Sequence, residues 1–304
     1  MNCAGLVEGK QHHHLDHIAP LCALEEIPLI LTDDELFDLA QKYYPDLEAL
    51  YFPPHQAPDA LVSAYDTIIV STPRVLFDQI YYLSQALHGK QVRTIWCPHG
   101  NSDKGKSVPF FEALADEELL LTYGPKMERF IREKGITVPF HQIGNYRYAY
   151  YQKHRDFYDQ LLPPKTEKTI LYAPTWQDAE SLSSFPHVWK ELLTPPEGVE
   201  LLIKLHPNLY EQYPDEIAEL RKHHKLIENF PPIYPLLART DLLIGDHSSI
   251  NDDFLVFNCP IFQWKPGSPS LFGEGSIPDR NVDDVFAPYS SLTVNLSNRK
   301  PHTR

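Results

Sequence analysis

The sequence predicts an α/β protein built from two parallel-sheet halves. Short apolar, β-branched runs alternate with segments of helical period. Those runs end in Gly, Pro, Asp, Asn or Ser. The pattern then starts again after Pro163-Pro164, so two doubly wound halves are expected, at 1–150 and 165–304.

Residues 12–18 read His-His-His-Leu-Asp-His-Ile, a polar loop and helix start. Consecutive side chains on a helix or strand do not converge, and zinc sites usually draw on two separated pairs, so no metal is expected there. Ile27–Leu31 is a strand, and Thr32 caps a helix over Asp33–Tyr43. Ala64–Ser71 is a second strand, and Phe77–Leu87 is helical in pattern. Val92–Cys97, a third strand, leads into Pro98-His99-Gly100-Asn101-Ser102-Asp103-Lys104-Gly105. A histidine at the end of a parallel strand, followed by glycines and a lysine, stands where open α/β sheets bind ligands. Leu119–Tyr123 is a fourth strand, and Gly124-Pro125 opens a helix to Lys134. Phe140–Ile143 is a fifth, ending at Gly144-Asn145-Tyr146-Arg147.

Residues 148–166 are polar and aromatic and form the crossing between the halves. Thr169–Tyr172 begins the second sheet and ends in Ala173-Pro174-Thr175-Trp176-Gln177-Asp178. Glu200–Lys204 is the next strand, followed by Leu205-His206-Pro207-Asn208. Lys225–Glu228 reads as a short strand and Pro235–Ala238 as a small helix. The most informative stretch is Asp241–Trp264. Leu242, Leu243 and Ile244 make a buried strand, broken by Gly245 and Asp246. Ser248 or Ser249 caps a helix, with Asp252 near capping-box spacing and Ile250, Phe254 and Phe257 on one face. Asn258 and Pro260 end it, and Ile261-Phe262 starts another strand. A turn of this kind presents N–H groups and two hydroxyls that suit a phosphate; the plainer alternative is a serine cap without a ligand. After Pro266 the chain is loop-rich, with a helix starting at Val282–Phe286.

The chain has 304 residues, 42% of them hydrophobic, enough for two packed cores. Its formal net charge of −14 argues against a nucleic-acid binder, which needs clustered Lys and Arg. The charge gives no attraction to an anionic membrane surface either. Cys3, Cys22, Cys97 and Cys259 are far apart and read as reduced thiols of a cytoplasmic protein. Neither a signal peptide nor a run of membrane-spanning length is found.

Three segments of the second half, with two of the first, make the chain resemble the CDP-glycerol glycerophosphotransferase family, which polymerises or primes teichoic acids. Ile170–Asp178 resembles its Y-A-P-T-W-R-D, and Lys204-Leu-His-Pro207 its R/K-L-H-P. Asp241–Phe254 resembles D-x-L-I-T-D-Y-S-S-x-x-F-D-F. In the first half, Pro98-His99-Gly100 with Lys104 resembles W-H-G-T-P-L-K, and Gly144–Arg147 resembles G-x-P-R. The chain departs at His247, Gly245, Gln177 and Asn101-Ser102, and Lys104 comes one residue late.

The resemblance implies a GT-B architecture, two Rossmann-like domains facing across a cleft, with no metal or other cofactor. It implies transfer of a glycerol-phosphate or related polyol-phosphate unit from a CDP-activated donor to an acceptor hydroxyl. His99 would be the general base, with an ordinary pKa near 6.5 suited to neutral pH. His206 would stabilise the donor diphosphate. Ser248, Ser249, Asp246, Thr175, Arg147 and Lys104 would surround the donor phosphates, Lys204 adding charge and Trp176 a stacking face or core contact. Asp246, Asp252 and Asp253 are read as turn and helix-start residues rather than magnesium ligands. Family members act at the inner membrane face on lipid-linked acceptors; without a basic amphipathic anchor, a soluble acceptor or recruitment by a partner is the other expectation. The rival readings are another GT-B glycosyltransferase, an enzyme like UDP-N-acetylglucosamine 2-epimerase, or a nucleotide-binding relative without catalysis.

Overall fold

A computed structural model describes residues 2–74, 78–101, 112–165, 167–177, 182–268, 270–273, 275–279 and 281–292. The chain divides into two compact units. The first comprises 1–99, 108–153 and 283–304; the second comprises 100–107 and 154–282.

Among the described residues, seven parallel strands form the sheet of the first unit: β1 (Cys3–Val7), β2 (Leu29–Leu31), β3 (Ala49–Tyr51), β4 (Thr67–Val70), β5 (Arg93–Trp96), β6 (Leu119–Thr122) and β7 (Phe140–Gln142). Their order is β3-β2-β1-β4-β5-β6-β7. Leu29–Leu31, Thr67–Val70 and Leu119–Thr122 are buried at every residue, as expected of strands covered on both faces. The chain winds outward from β1 to β3, then restarts at β4 on the other side of β1. Gly5 pairs with both Leu29 and Ile69, so β1 is the hinge of the sheet. The gap between the ends of β1 and β4 is its topological switch point, where such sheets take their ligands.

Two strands were not legible. Cys3–Val7 reads Cys-Ala-Gly-Leu-Val, too small and mixed to stand out, and Ala49–Tyr51 is a half-exposed edge of three residues. The helix Asp34–Tyr43 is capped by Asp33, whose carboxylate accepts from Leu36 N at 3.0 Å. Thr32, expected as the cap, instead accepts from Gly9 N at 2.8 Å. The crossing segment contains two helices, Tyr146–Lys153 and Arg155–Leu161.

The segment 283–292 returns to the first unit, although the sequence placed it with the second. Asn145 N donates to Ala287 O and Ser290 N to Ile143 O. Glu25 fastens the segment, accepting from Tyr289 Oη and Ser291 Oγ at 2.8 Å and from Leu292 N at 2.9 Å. Gly144, at φ +75°, lies against the Pro288 carbonyl with no room for a Cβ.

Among the described residues, the second unit holds four parallel strands, β8 (Lys168–Tyr172), β9 (Val199–Ile203), β10 (Leu242–Gly245) and β11 (Ile261–Gln263), in the order β11-β10-β8-β9. Its core joins Tyr172, Phe185, Ile203, Leu209 and Ile217. Burying a ring such as that of Phe185 contributes about 2–3 kcal/mol. Residues 225–228 form no strand; Ile227 N donates once to Ile203 O, and no ladder is built on that bond. The order reverses between β8 and β10, so the loops after these two strands flank the switch point.

Candidate active site

The first unit gathers imidazoles at its switch point. The helix His12–Glu25 follows β1, and β4 ends just before Ser71. His99 follows β5, and its Nδ1 lies 3.0 Å from Ser71 O. A carbonyl can only accept, so Nδ1 carries the hydrogen and the neutral ring keeps its lone pair on Nε2. Burial pushes the His99 pKa below its ordinary value, opposed by the bond to Ser71. The ring is therefore a neutral base at pH 7.

His13 and His14 stand beside it. The His14 ring centre is 4.9 Å from that of His99, and the His13 ring is 4.1 Å from His14 and 6.3 Å from His99. One turn further along the helix, His17 Nδ1 meets Tyr123 Oη at 2.8 Å, and Tyr123 Oη donates to Pro98 O at 3.1 Å. Burial, then the Arg147 charge, then the neighbouring imidazoles hold the His17 pKa well below its ordinary value. Among the described residues no group of three or more His, Cys, Asp or Glu is placed to hold a metal ion.

Arg147 differs from expectation. Its guanidinium is buried in the first unit, paired with the Asp16 carboxylate and donating from Nε to Asp16 O at 3.1 Å. Tyr44 Oη also donates to Asp16, at 3.0 Å. An arginine so enclosed is a structural partner of Asp16 and is not available to donor phosphates.

In the second unit, the loops after β8 and β10 meet through Asp246. It is fully buried, where a phosphate ligand was expected. Its Oδ1 accepts from Thr175 N at 2.9 Å, and its Oδ2 from Ser184 N at 2.8 Å and Ser184 Oγ at 2.9 Å. A carboxylate would repel a phosphate; here it serves as the clasp that shapes the loops. Thr175 is likewise buried, and its carbonyl accepts from Ser183 Oγ. The Asp246 carbonyl accepts from Asn251 Nδ2 at 2.7 Å and Gln263 Nε2 at 3.3 Å. Asn251 also explains Gly245: a Cβ there would overlap the Asn251 amide.

Ser248 and Ser249 follow this clasp and are partly exposed. Ser249 is the N-cap residue of the five-residue helix Ile250–Phe254 but makes no side-chain cap bond, so the expected capping box does not form. Ser248 Oγ receives a long 3.4 Å approach from Ile250 N. His206, after β9, caps the helix Pro207–Gln212: its Nδ1 accepts from Asn208 N at 3.2 Å. The neutral ring therefore carries its hydrogen on Nε2, the opposite tautomer to His99. Trp176 leans against it, ring centres 6.0 Å apart. Lys204 Nζ donates to Phe230 O at 2.7 Å. Lys104 and Asp178 lie outside the described residues. No local pattern marks Ser71, Ser184 or Gln263, which act through a main-chain carbonyl or through contacts distant in the chain.

The two parallel α/β units define the GT-B class. Solved structures share that fold. UDP-GlcNAc 2-epimerase from Neisseria meningitidis covers 86% of this chain and 82% of its own at 11% identity, with a TM-score of 0.58. The wall teichoic acid polymerase TagF, in a variant soaked with CDPG, covers 86% and 70% at 14% identity, with a TM-score of 0.56.

At the level of sequence, residues 145–267 match the family model CDP-Glycerol:Poly(glycerophosphate) glycerophosphotransferase. A teichoic acid glycerol-phosphate primase of Bacillus spizizenii is 35% identical over 120 residues, 37% of this chain and 30% of that protein. A teichoic acid poly(glycerol phosphate) polymerase of Staphylococcus epidermidis is 30% identical over 115 residues, 33% and 14% respectively. The matched stretch thus spans under a third of either curated relative. No helix among the described residues is long and apolar enough to cross a membrane.

Proposed function

We propose that this chain transfers a glycerol-phosphate, or a related polyol-phosphate, from a CDP-activated donor to an acceptor hydroxyl. The acceptor oxygen attacks the glycerol-bearing phosphorus. A new P–O bond forms, the bridging P–O bond of the diphosphate breaks, and CMP leaves with the electron pair. The acceptor proton passes to His99 Nε2. His206 Nε2–H donates to the diphosphate, and the hydroxyls and N–H groups at Ser248 and Ser249 hold its oxygens. Asp246 and Thr175 shape that loop.

The observation that supports this most is the pair of opposite tautomers, His99 fixed by Ser71 O as an acceptor and His206 fixed by Asn208 N as a donor. Proton removal and charge stabilisation need that division of labour. The family match over 145–267 favours a cytidine donor.

Mass spectrometry with CDP-glycerol, CDP-ribitol and UDP-sugars tests the reaction. CDP-glycerol should raise the melting temperature more than UDP-GlcNAc. His99→Ala should keep that shift and lose turnover by about 10²–10⁴-fold. A preference for uridine nucleotides would move the reading to an epimerase-like enzyme. No turnover with any donor would leave a binding protein.

A further inference from the structure

The helix His12–Glu25 reaches the loop that carries His99 at two places. His17 holds the main chain before it, through Tyr123 Oη to Pro98 O. His14 meets the imidazole itself, buried and tilted 41° to it at 4.9 Å. Ser71 O accepts from His99 Nδ1 and also from Trp96 Nε1, at 3.2 Å. The ring thus has an acceptor at Nδ1 and a second ring packed beside it. A histidine free to turn about its Cβ–Cγ bond would exchange the Ser71 bond for water and spread its hydrogen over both nitrogens.

We propose that His14 is a positioning residue for the base: its ring holds the His99 imidazole against Ser71 O, so that Nε2 remains the proton acceptor. This rests on the transferase reading for its catalytic consequence, but its structural content does not. His14 acts by filling space, which distinguishes it from a group that must exchange protons. Among the described residues, the titratable and charged groups near the pair include His13, Asp16 and His17 on the same helix, Tyr123 just after β6, and Arg147, which Asp16 neutralises.

The test compares His14→Ala and His14→Phe in the full chain. Imidazole ¹⁵N resonances report the His99 tautomer and titration without any substrate. The parent should show Nδ1–H at neutral pH, titrating below the ordinary 6.5. His14→Ala should populate Nε2–H and titrate nearer 6.5, because water reaches the ring. His14→Phe should restore the parent tautomer. With CDP-glycerol, His14→Ala should lower kcat about tenfold with the donor KM within about twofold, and its acid limb should move to higher pH. His14→Phe should recover most of the kcat.

An unchanged His99 tautomer and titration in His14→Ala would overturn the proposal. So would a His14→Phe variant as impaired as His14→Ala, since space would then not be what matters. If His14→Ala fails to fold, His14→Phe alone decides: near-parent spectra support positioning, and a changed tautomer refutes it. If the parent turns over no donor, the transferase reading fails while the resonances still judge this inference.

Discussion

Removing the Asp246 carboxylate should loosen the second unit measurably. In Asp246→Ala, Thr175 N and Ser184 N lose their acceptors at a fully buried position. Ser184 Oγ can turn to Tyr172 Oη, 2.8 Å away, and so adds little. Each orphaned buried donor costs about 1–3 kcal/mol, so the pair costs about 3–4 kcal/mol. At about 3 °C per kcal/mol for a domain of this size, the melting temperature should fall by about 10 °C. Asp246→Asn keeps the shape but turns an amide N–H₂ towards donors; about 2 kcal/mol, or roughly 6 °C, is expected. Thermal unfolding followed by circular dichroism provides both numbers. A fall of under about 2 °C in Asp246→Ala would show that the carboxylate does not join the loops after β8 and β10. Donor affinity should drop in the same variant, because the Ser248–Ser249 turn hangs from this residue.

Other outcomes follow from the first unit. Arg147→Met leaves the Asp16 carboxylate buried without its cation and should destabilise by about 3–5 kcal/mol in urea unfolding, while the melting shift given by CDP-glycerol persists. His17 is neutral in the folded protein, its pKa depressed, whereas the unfolded chain takes a proton near 6.5. Its contribution is therefore complete above about pH 6.5 and is lost as the pH falls below it, by up to about 1.4 kcal/mol per unit. His17→Gln should flatten that decline in urea midpoints between about pH 6.5 and 5, even though it weakens the Tyr123 bond. Gly144→Ala, at φ +75° against the Pro288 carbonyl, should free the segment 283–292; faster proteolytic cleavage there would show it.

Much of the fold could be read from the chain because parallel strands buried on both faces are runs such as Thr-Ile-Ile-Val at 67–70 and Leu-Leu-Leu-Thr at 119–122. Strand ends were legible for the same reason, and with them the positions of His99, His206 and the serine pair. What failed was side-chain direction. Arg147 sits in a motif that suggests phosphate, yet its partner is Asp16, 131 residues earlier. Asp246 looks like a turn residue near a ligand, and only the Thr175 and Ser184 N–H groups show where its charge is used. The histidines at 12–17 argued against a metal because neighbours on a helix diverge. The structure corrects that premise: the neighbouring His13 and His14, with rings 4.1 Å apart, converge on His99, while His17 turns to Tyr123. Their common role around one loop depended on β4, β5 and β6 arriving beside that helix, which no local pattern encodes.

The fastening at Glu25 sets an order on synthesis. Its partners are 264 to 267 residues further along, so at 5–20 residues per second a ribosome supplies them about 13–50 s later. During that interval the nascent N-terminal sheet waits with this carboxylate unclasped. Residues 154–282, translated afterwards, can meanwhile join 100–107 and complete the second unit first. The half that emerges earliest from the tunnel is thus the last to be sealed.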